Sequence, residues 1–101
     1  MRNLMIVFIS LFAFCIGISG QQKCQLNVGS FNLRYDNDGD KDDSWTHRKD
    51  MAVSLVHFHD FDVFGIQEGL IHQVKDLVKD GVYTFVGVGR DDGKEAGEHA
   101  A

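Results

Sequence analysis

The sequence contains no proline and only two cysteines in 101 residues. Without proline, its turns must be set by glycine, asparagine and aspartate. Cys15 lies within an uncharged N-terminal run and Cys24 beyond it. If that run is removed, a single cysteine remains, and one cysteine cannot close an internal disulfide. A disulfide-stapled mini-protein is therefore excluded. Basic residues are also scarce, with ten Lys and Arg against fifteen Asp and Glu, a formal charge of -5. That balance argues mildly against a tight non-specific nucleic-acid binder, because phosphate affinity rests on Lys and Arg. It leaves room for a local basic track. Several cofactor signatures are missing as well. Gly87, Gly89, Gly93 and Gly97 form no GxGxxG that opens a helix behind a strand, no GKS or GKT follows, and there is no HExxH. The chain has no internal repeat and no low-complexity tract.

Charge is absent from one further place. Met1, Arg2 and Asn3 supply one positive side chain, and Leu4 to Ile18 then carries none, before the small residues Ser19 and Gly20 and the polar QQK. This is the layout of a secretory signal peptide, and the run is short of the about 20 apolar residues a spanning helix needs. Residues 1–20 are therefore expected to be a leader and 21–101 the exported domain, secreted or periplasmic and with no stable membrane partner after cleavage. A retained anchor or a lipidated Cys15 is the lesser alternative, since the large Phe14 stands where lipoprotein processing wants a small residue. The roughly 80 residues left would bury only about 60% of their unfolded surface. The chain stops at EAGEHAA without a signal closing an element, and the expectation is the front part of a larger domain.

Hydrophobic patterning gives the order β-α-β-α-β. Leu26 to Arg34 mixes small and apolar residues as a strand does, with Val28, Ser30 and Asn32 on one side and Gly29, Phe31 and Leu33 on the other. The turn-rich YDNDGDKDDSW follows. Its Asp36, Asp38 and Asp40 fit the first positions of an EF-hand count, but Lys41 stands where glycine is required and His47 where glutamate is required. A solvated acidic loop, with at most an incidental cation, is the expectation. Ser44 can cap a helix in which Trp45, Arg48, Ala52, Leu55, Val56 and His59 recur at helical spacing, with Met51 and Phe58 widening the stripe. His57 and His59 are two apart and diverge on a helix, so they make no zinc pair. Phe61 to Gln67 is nearly all apolar and reads as a central strand. Leu70 to Lys79 forms a second amphipathic helix with Gly81 closing it, and Val82 to Gly89 a third strand. Alternating strands and helices indicate an α/β domain.

In open α/β sheets the functional loops gather at the carboxyl ends of strands. Two polar residues stand there: Asn32 after VGSF and Glu68 after VFGIQ. If the two strands are parallel neighbours, a carboxamide and a carboxylate face one cleft. The glutamate can ligate Mg²⁺, which prefers oxygen and keeps several waters. The amide can orient that carboxylate or hold a phosphate oxygen. Ordinary loop and turn roles for the two residues are the competing account. Arg90 and Lys94 could meet an anionic substrate or simply form a charged loop.

VGSFNLRYDN, then SWTHRKDMAVSLVHFHDFDVFGIQEGL, then FVGVGRDDGKEAGEHAA together resemble the start of the endonuclease/exonuclease/phosphatase superfamily, in particular its secreted bacterial branch of family hydrolases. The likeness runs from Leu26 to Ala101. It implies the N-terminal portion of a four-layer α/β sandwich with mixed sheets, and hydrolysis of phosphodiester or phosphomonoester bonds with Mg²⁺, or alternatively Mn²⁺. Asn32 matches the family asparagine near metal and phosphate, and Glu68 the metal-binding glutamate. Gln67 and Glu98 border the cleft. The family's later Asp/Asn pair, second metal-side aspartate and C-terminal histidine have no counterpart before Ala101, so these 101 residues alone are expected to show no turnover. The expected parent is a monomeric phosphoesterase whose substrate is a nucleic acid, a sugar phosphate or a phospholipid. The alternative is a non-catalytic binding or structural fragment.

Overall fold

A computed structural model of the protein describes Gly20 and residues 23–101. The expected leader, Cys15 included, falls almost wholly outside the described residues. Strands β1 (Val28–Asn32) and β2 (Val63–Gln67) pair in parallel, with Val28 opposite Val63 and Asn32 opposite Gln67. The Leu33 N–H extends the ladder to the Gln67 carbonyl at 2.9 Å. Parallel neighbours need a crossover, supplied by α1 (Trp45–His59). The pairing decides which side chains are inside. Phe31, Phe64 and Ile66 turn toward the helices, joining a core of Leu33, Trp45, Ala52, Val56, Ile66, Val74 and Leu77. Val28, Ser30, Asn32, Val63 and Gln67 are exposed, consistent with the two-residue period of a strand.

On α1 only Trp45, Ala52 and Val56 are buried. Met51 and Phe58, expected to widen the buried stripe, are exposed at 69% and 82%. The buried stripe is thus narrower than the helical period suggests. Ser44 does sit at the N-cap, but its hydroxyl makes no capping bond and meets His47 Nδ1 at 3.0 Å instead. The Trp45 N–H is taken by Asp36 Oδ1 at 3.3 Å. At the other end, Asp60 turns the chain in the left-handed region at φ 48.

The acidic loop forms a short 3-10 segment over Asp38–Asp43, capped by the Asn37 side chain accepting from the Gly39 N–H. None of Asp38–Asp43 is buried, as expected of a solvated loop, but two carboxylates of the acidic loop are paired. Asp40 pairs with Arg34 at 3.0 Å and Asp36 with His72 at 2.8 Å.

Helix α2 (Ile71–Val78) buries Gln73, Val74 and Leu77, and Gly81 follows it in the left-handed region at φ 79. From Val82 to Val88 the residues alternate outward and half-buried, as the third expected strand requires. Ladder pairing, however, is confined to β3 (Val88–Gly89), which lies antiparallel to β4 (His99–Ala100). The stretch before it is extended without a strand neighbour among the described residues, so its period is right and its hydrogen bonds are missing. β4 also meets the end of β2: the His99 N–H donates to the Gly69 carbonyl and the Ile66 N–H to the Ala101 carbonyl, both at 2.7 Å. The result is an α/β arrangement with mixed parallel and antiparallel pairing.

Candidate active site at the strand ends

Because β1 and β2 are parallel and in register at Asn32 and Gln67, their carboxyl ends open on one edge. Asn32 Nδ2 donates to Glu68 Oε1 at 3.0 Å. The Asn32 amide can face only one way, since its Oδ1 accepts the Arg34 N–H at 2.8 Å. Turning it over would set an NH₂ group against that N–H. In this arrangement Asn32 orients the carboxylate and offers its own oxygen to the chain.

Two backbone features hold the pair. Glu68 has φ 57 and Arg34 φ 58, left-handed conformations that cost a non-glycine residue about 1–2 kcal/mol. They sit just behind the two strands and turn the chain sharply there. Such strain persists where surrounding structure over-determines it. The surroundings here are specific: Arg48 Nη1 and Nη2 reach the carbonyls of Leu33 and Arg34 at 3.0 and 3.2 Å. Arg34's own guanidinium lies over Tyr35 and forms two bonds to Asp40. The Asp40 carboxylate raises the Arg34 pKa above its ordinary value, with a smaller contribution from Glu68. Asp40 is in turn lowered, chiefly by its hydrogen bond to Arg34. A positive charge thus stands near the half-buried Glu68.

The other candidate residues are placed less centrally. Gln67 bonds Ser30 Oγ through Nε2 at 3.2 Å, on the exposed sheet face beside Asn32. Glu98 pairs with Arg90 at 2.5 Å. It adjoins His99, whose N–H bonds Gly69, so Glu98 lies close along the backbone to the Glu68 turn. Lys94 makes no ion pair among the described residues, and Arg90 is committed to Glu98 and Asp91. His57 pairs with Asp80 at 2.6 Å and His59 stacks on Phe61. The apolar cavity of about 230 Å³, lined by Val63, Phe64, Leu77, Tyr83 and Phe85, lies away from Asn32 and Glu68.

As a cation site the donor set is small. Among the described residues no group of three or more His, Cys, Asp or Glu side chains is placed to hold a metal. Glu68 offers one carboxylate, with Oε1 engaged by Asn32 and no second protein partner among those residues. A single carboxylate with the remaining positions filled by water and substrate is a recognised way to hold Mg²⁺. The residues present fit that mode and no all-protein cage.

The residue the sequence reading missed is Gln73. It is fully buried, and its side chain touches the loops behind both strands. A glutamine three residues after the helix N-cap is a recognisable capping signal, yet nothing local announces its long-range partners.

No family model and no curated protein matches the chain. Solved structures do. A mannosyl-6-phosphatase from Bacteroides thetaiotaomicron is 46% identical, with TM-score 0.72, over 75% of this chain and 30% of its own. An endonuclease/exonuclease/phosphatase from Bacteroides vulgatus is 43% identical, with TM-score 0.74, over 77% and 30%. A functionally unknown conserved protein from Enterococcus faecalis is 33% identical, with TM-score 0.66, over 72% and 29%. The chain spans about 30% of the length of the structures it matches. It is thus homologous in structure to the endonuclease/exonuclease/phosphatase superfamily over part of each relative, which supports a general phosphoesterase lineage. No helix among the described residues is long and apolar enough to cross a membrane.

Proposed function

We propose that the chain is the N-terminal part of an endonuclease/exonuclease/phosphatase domain, and that the intact protein is an exported, Mg²⁺-dependent phosphoesterase. The observation that carries this is the Asn32–Glu68 contact of 3.0 Å across the carboxyl ends of two parallel strands. Glu68 is the cation ligand. Asn32, fixed by the Arg34 N–H, aims the carboxylate and limits its rotation. A bound Mg²⁺ would supply Lewis-acid polarisation of the phosphoryl oxygens and stabilisation of the leaving oxygen. Gln67 and Glu98 border the cleft.

A sugar phosphomonoester is the substrate class to try first. One relative of 46% identity is named a mannosyl-6-phosphatase, and the acidic balance of this chain disfavours a polyanion. The test compares Mg²⁺-dependent hydrolysis of a hexose 6-phosphate, an aryl phosphomonoester and an aryl phosphodiester by the intact protein, Glu68→Gln and Asp38→Asn. Glu68→Gln should lower turnover by about 10²- to 10³-fold, the scale of losing one preorganised electrostatic group. Asp38→Asn should change little. Full activity of Glu68→Gln at limiting Mg²⁺ would reject the assignment.

A further inference from the structure

We propose that Gln73 is a positioning residue that locks the two strand-end loops into one rigid site, an inference that rests on the cation-site reading of Glu68. The hydrogen bonds form a closed circuit. Gln73 Oε1 accepts from the Leu70 N–H at 3.0 Å, and Leu70 is two residues beyond Glu68. Gln73 Nε2 donates to the Arg34 carbonyl at 3.0 Å. The Arg34 N–H donates to Asn32 Oδ1 at 2.8 Å, and Asn32 Nδ2 donates to Glu68 Oε1 at 3.0 Å. Both left-handed residues, Arg34 and Glu68, lie inside this ring. A second acceptor bond from the Asp36 N–H at 3.0 Å fastens the acidic loop to the same side chain.

A helix cap alone does not account for this. Capping α2 needs only the bond to Leu70, whereas the bonds to Asp36 and Arg34 reach across 37 and 39 residues. Arg48 also grips this region, but its bonds go to Leu33, Arg34 and Asp43, all behind β1. Gln73 joins the loop behind β1 to the loop behind β2. Its amide orientation is forced, since two N–H groups meet its oxygen and a carbonyl meets its nitrogen. Being fully buried, it cannot exchange these partners for water, so each is expensive to lose. A group of this kind acts on a cation site as outer-shell partners do, by fixing the ligand's direction.

Two variants separate positioning from capping. Gln73→Met removes every bond at similar length. Gln73→Glu, read at a pH where the introduced carboxyl is ionised, keeps an oxygen for Leu70 and Asp36 but loses the donor to Arg34. Leu77→Ala, on the same helix and away from the circuit, serves as a control for simple loss of packing. The first readout is the Asn32 side-chain amide in proton–nitrogen NMR spectra without metal. Both Gln73 variants should move its two proton resonances toward the solvated position and speed their exchange, and Leu77→Ala should leave them in place. The second is the Mg²⁺ half-saturation of the intact protein, expected to rise about 10- to 100-fold in the Gln73 variants, with a smaller change in turnover at saturating Mg²⁺. Unmoved Asn32 resonances in the folded Gln73→Glu variant, or equal shifts in Leu77→Ala, would overturn the proposal. Moved resonances in a protein that binds no Mg²⁺ would uphold the Gln73 circuit and overturn the phosphoesterase reading.

Discussion

Replacing Glu68 by alanine and by glycine should give an order of stability opposite to the usual one. Alanine ordinarily outranks glycine, because glycine loses more backbone freedom on folding, at a cost of about 0.5–1 kcal/mol. At φ 57 a Cβ costs about 1–2 kcal/mol. Glu68→Ala keeps that strain and loses the bond from Asn32. Glu68→Gly loses the same bond but releases the strain. The glycine variant should therefore be the more stable of the two by about 0.75 kcal/mol, the difference between the midpoints of the released strain and the entropy cost. Glu68→Gln retains an oxygen for Asn32 and should lie near the parent. Equilibrium urea unfolding followed by circular dichroism measures the differences, provided the m-values agree. An alanine variant equal to or more stable than the glycine variant would refute the claim that the Glu68 side chain is held by a strained turn.

Three other outcomes follow from the packing and the charges. Trp45→Phe loses the 2.8 Å bond from Nε1 to Asp76 and leaves a void at a residue 2% exposed; it should cost about 2–3 kcal/mol in the same unfolding assay, and a cost under about 0.5 kcal/mol would contradict that. Gly89→Ala would drive a Cβ into the Ala96 carbonyl, whereas at Gly65 the Cβ meets only Gln67 Nε2 at 3.8 Å. The first should destabilise by about 1–3 kcal/mol and the second little, and equal effects would count against the tight β3–β4 connection. Asp92 is lowered by the N–H groups of Ala96 and Lys94, and Asp80 by that of Val82 and by His57. Depressed carboxyls stabilise above the ordinary aspartate value, about 4, and lose that contribution as pH falls through their lower folded values. Asp92→Asn retains an accepting oxygen but binds no proton, so stability should fall less steeply below about pH 4; an unchanged acid limb would contradict the assignment.

The parts legible in the sequence are those written in local periods. Val63–Gln67 is an apolar run, α1 and α2 carry turns of apolar residues, and Asn32 and Glu68 are the polar residues that end two strands. Their convergence needed one further premise, that the strands are parallel neighbours, and the α1 crossover supplies it. What the sequence concealed depends on distant partners. Val82–Val86 has a strand's alternation without a ladder, because pairing depends on a neighbour that no local period specifies. Asp36 reads as one aspartate among five, yet His72, Trp45 and Gln73 bind it from later in the chain. Met51 and Phe58 lie on the same helix as the buried Ala52 and Val56 yet stay exposed, because the helical period does not by itself set how wide the buried stripe is. Gln73 shows the same limit most clearly: the nearest of its three bonds is a cap, and the two others bridge loops.

Manganese titration of the labelled protein tests the cation site most directly, because paramagnetic broadening falls steeply with distance from the ion. Substoichiometric Mn²⁺ should first broaden the Asn32 side-chain amide and the backbone signals of Glu68 and Gly69, excess Mg²⁺ should restore them, and Glu68→Gln should abolish the effect. Broadening centred instead on Asp38–Asp43, and unchanged by Glu68→Gln, would place the cation in the acidic loop and contradict the assignment of Glu68 as its ligand.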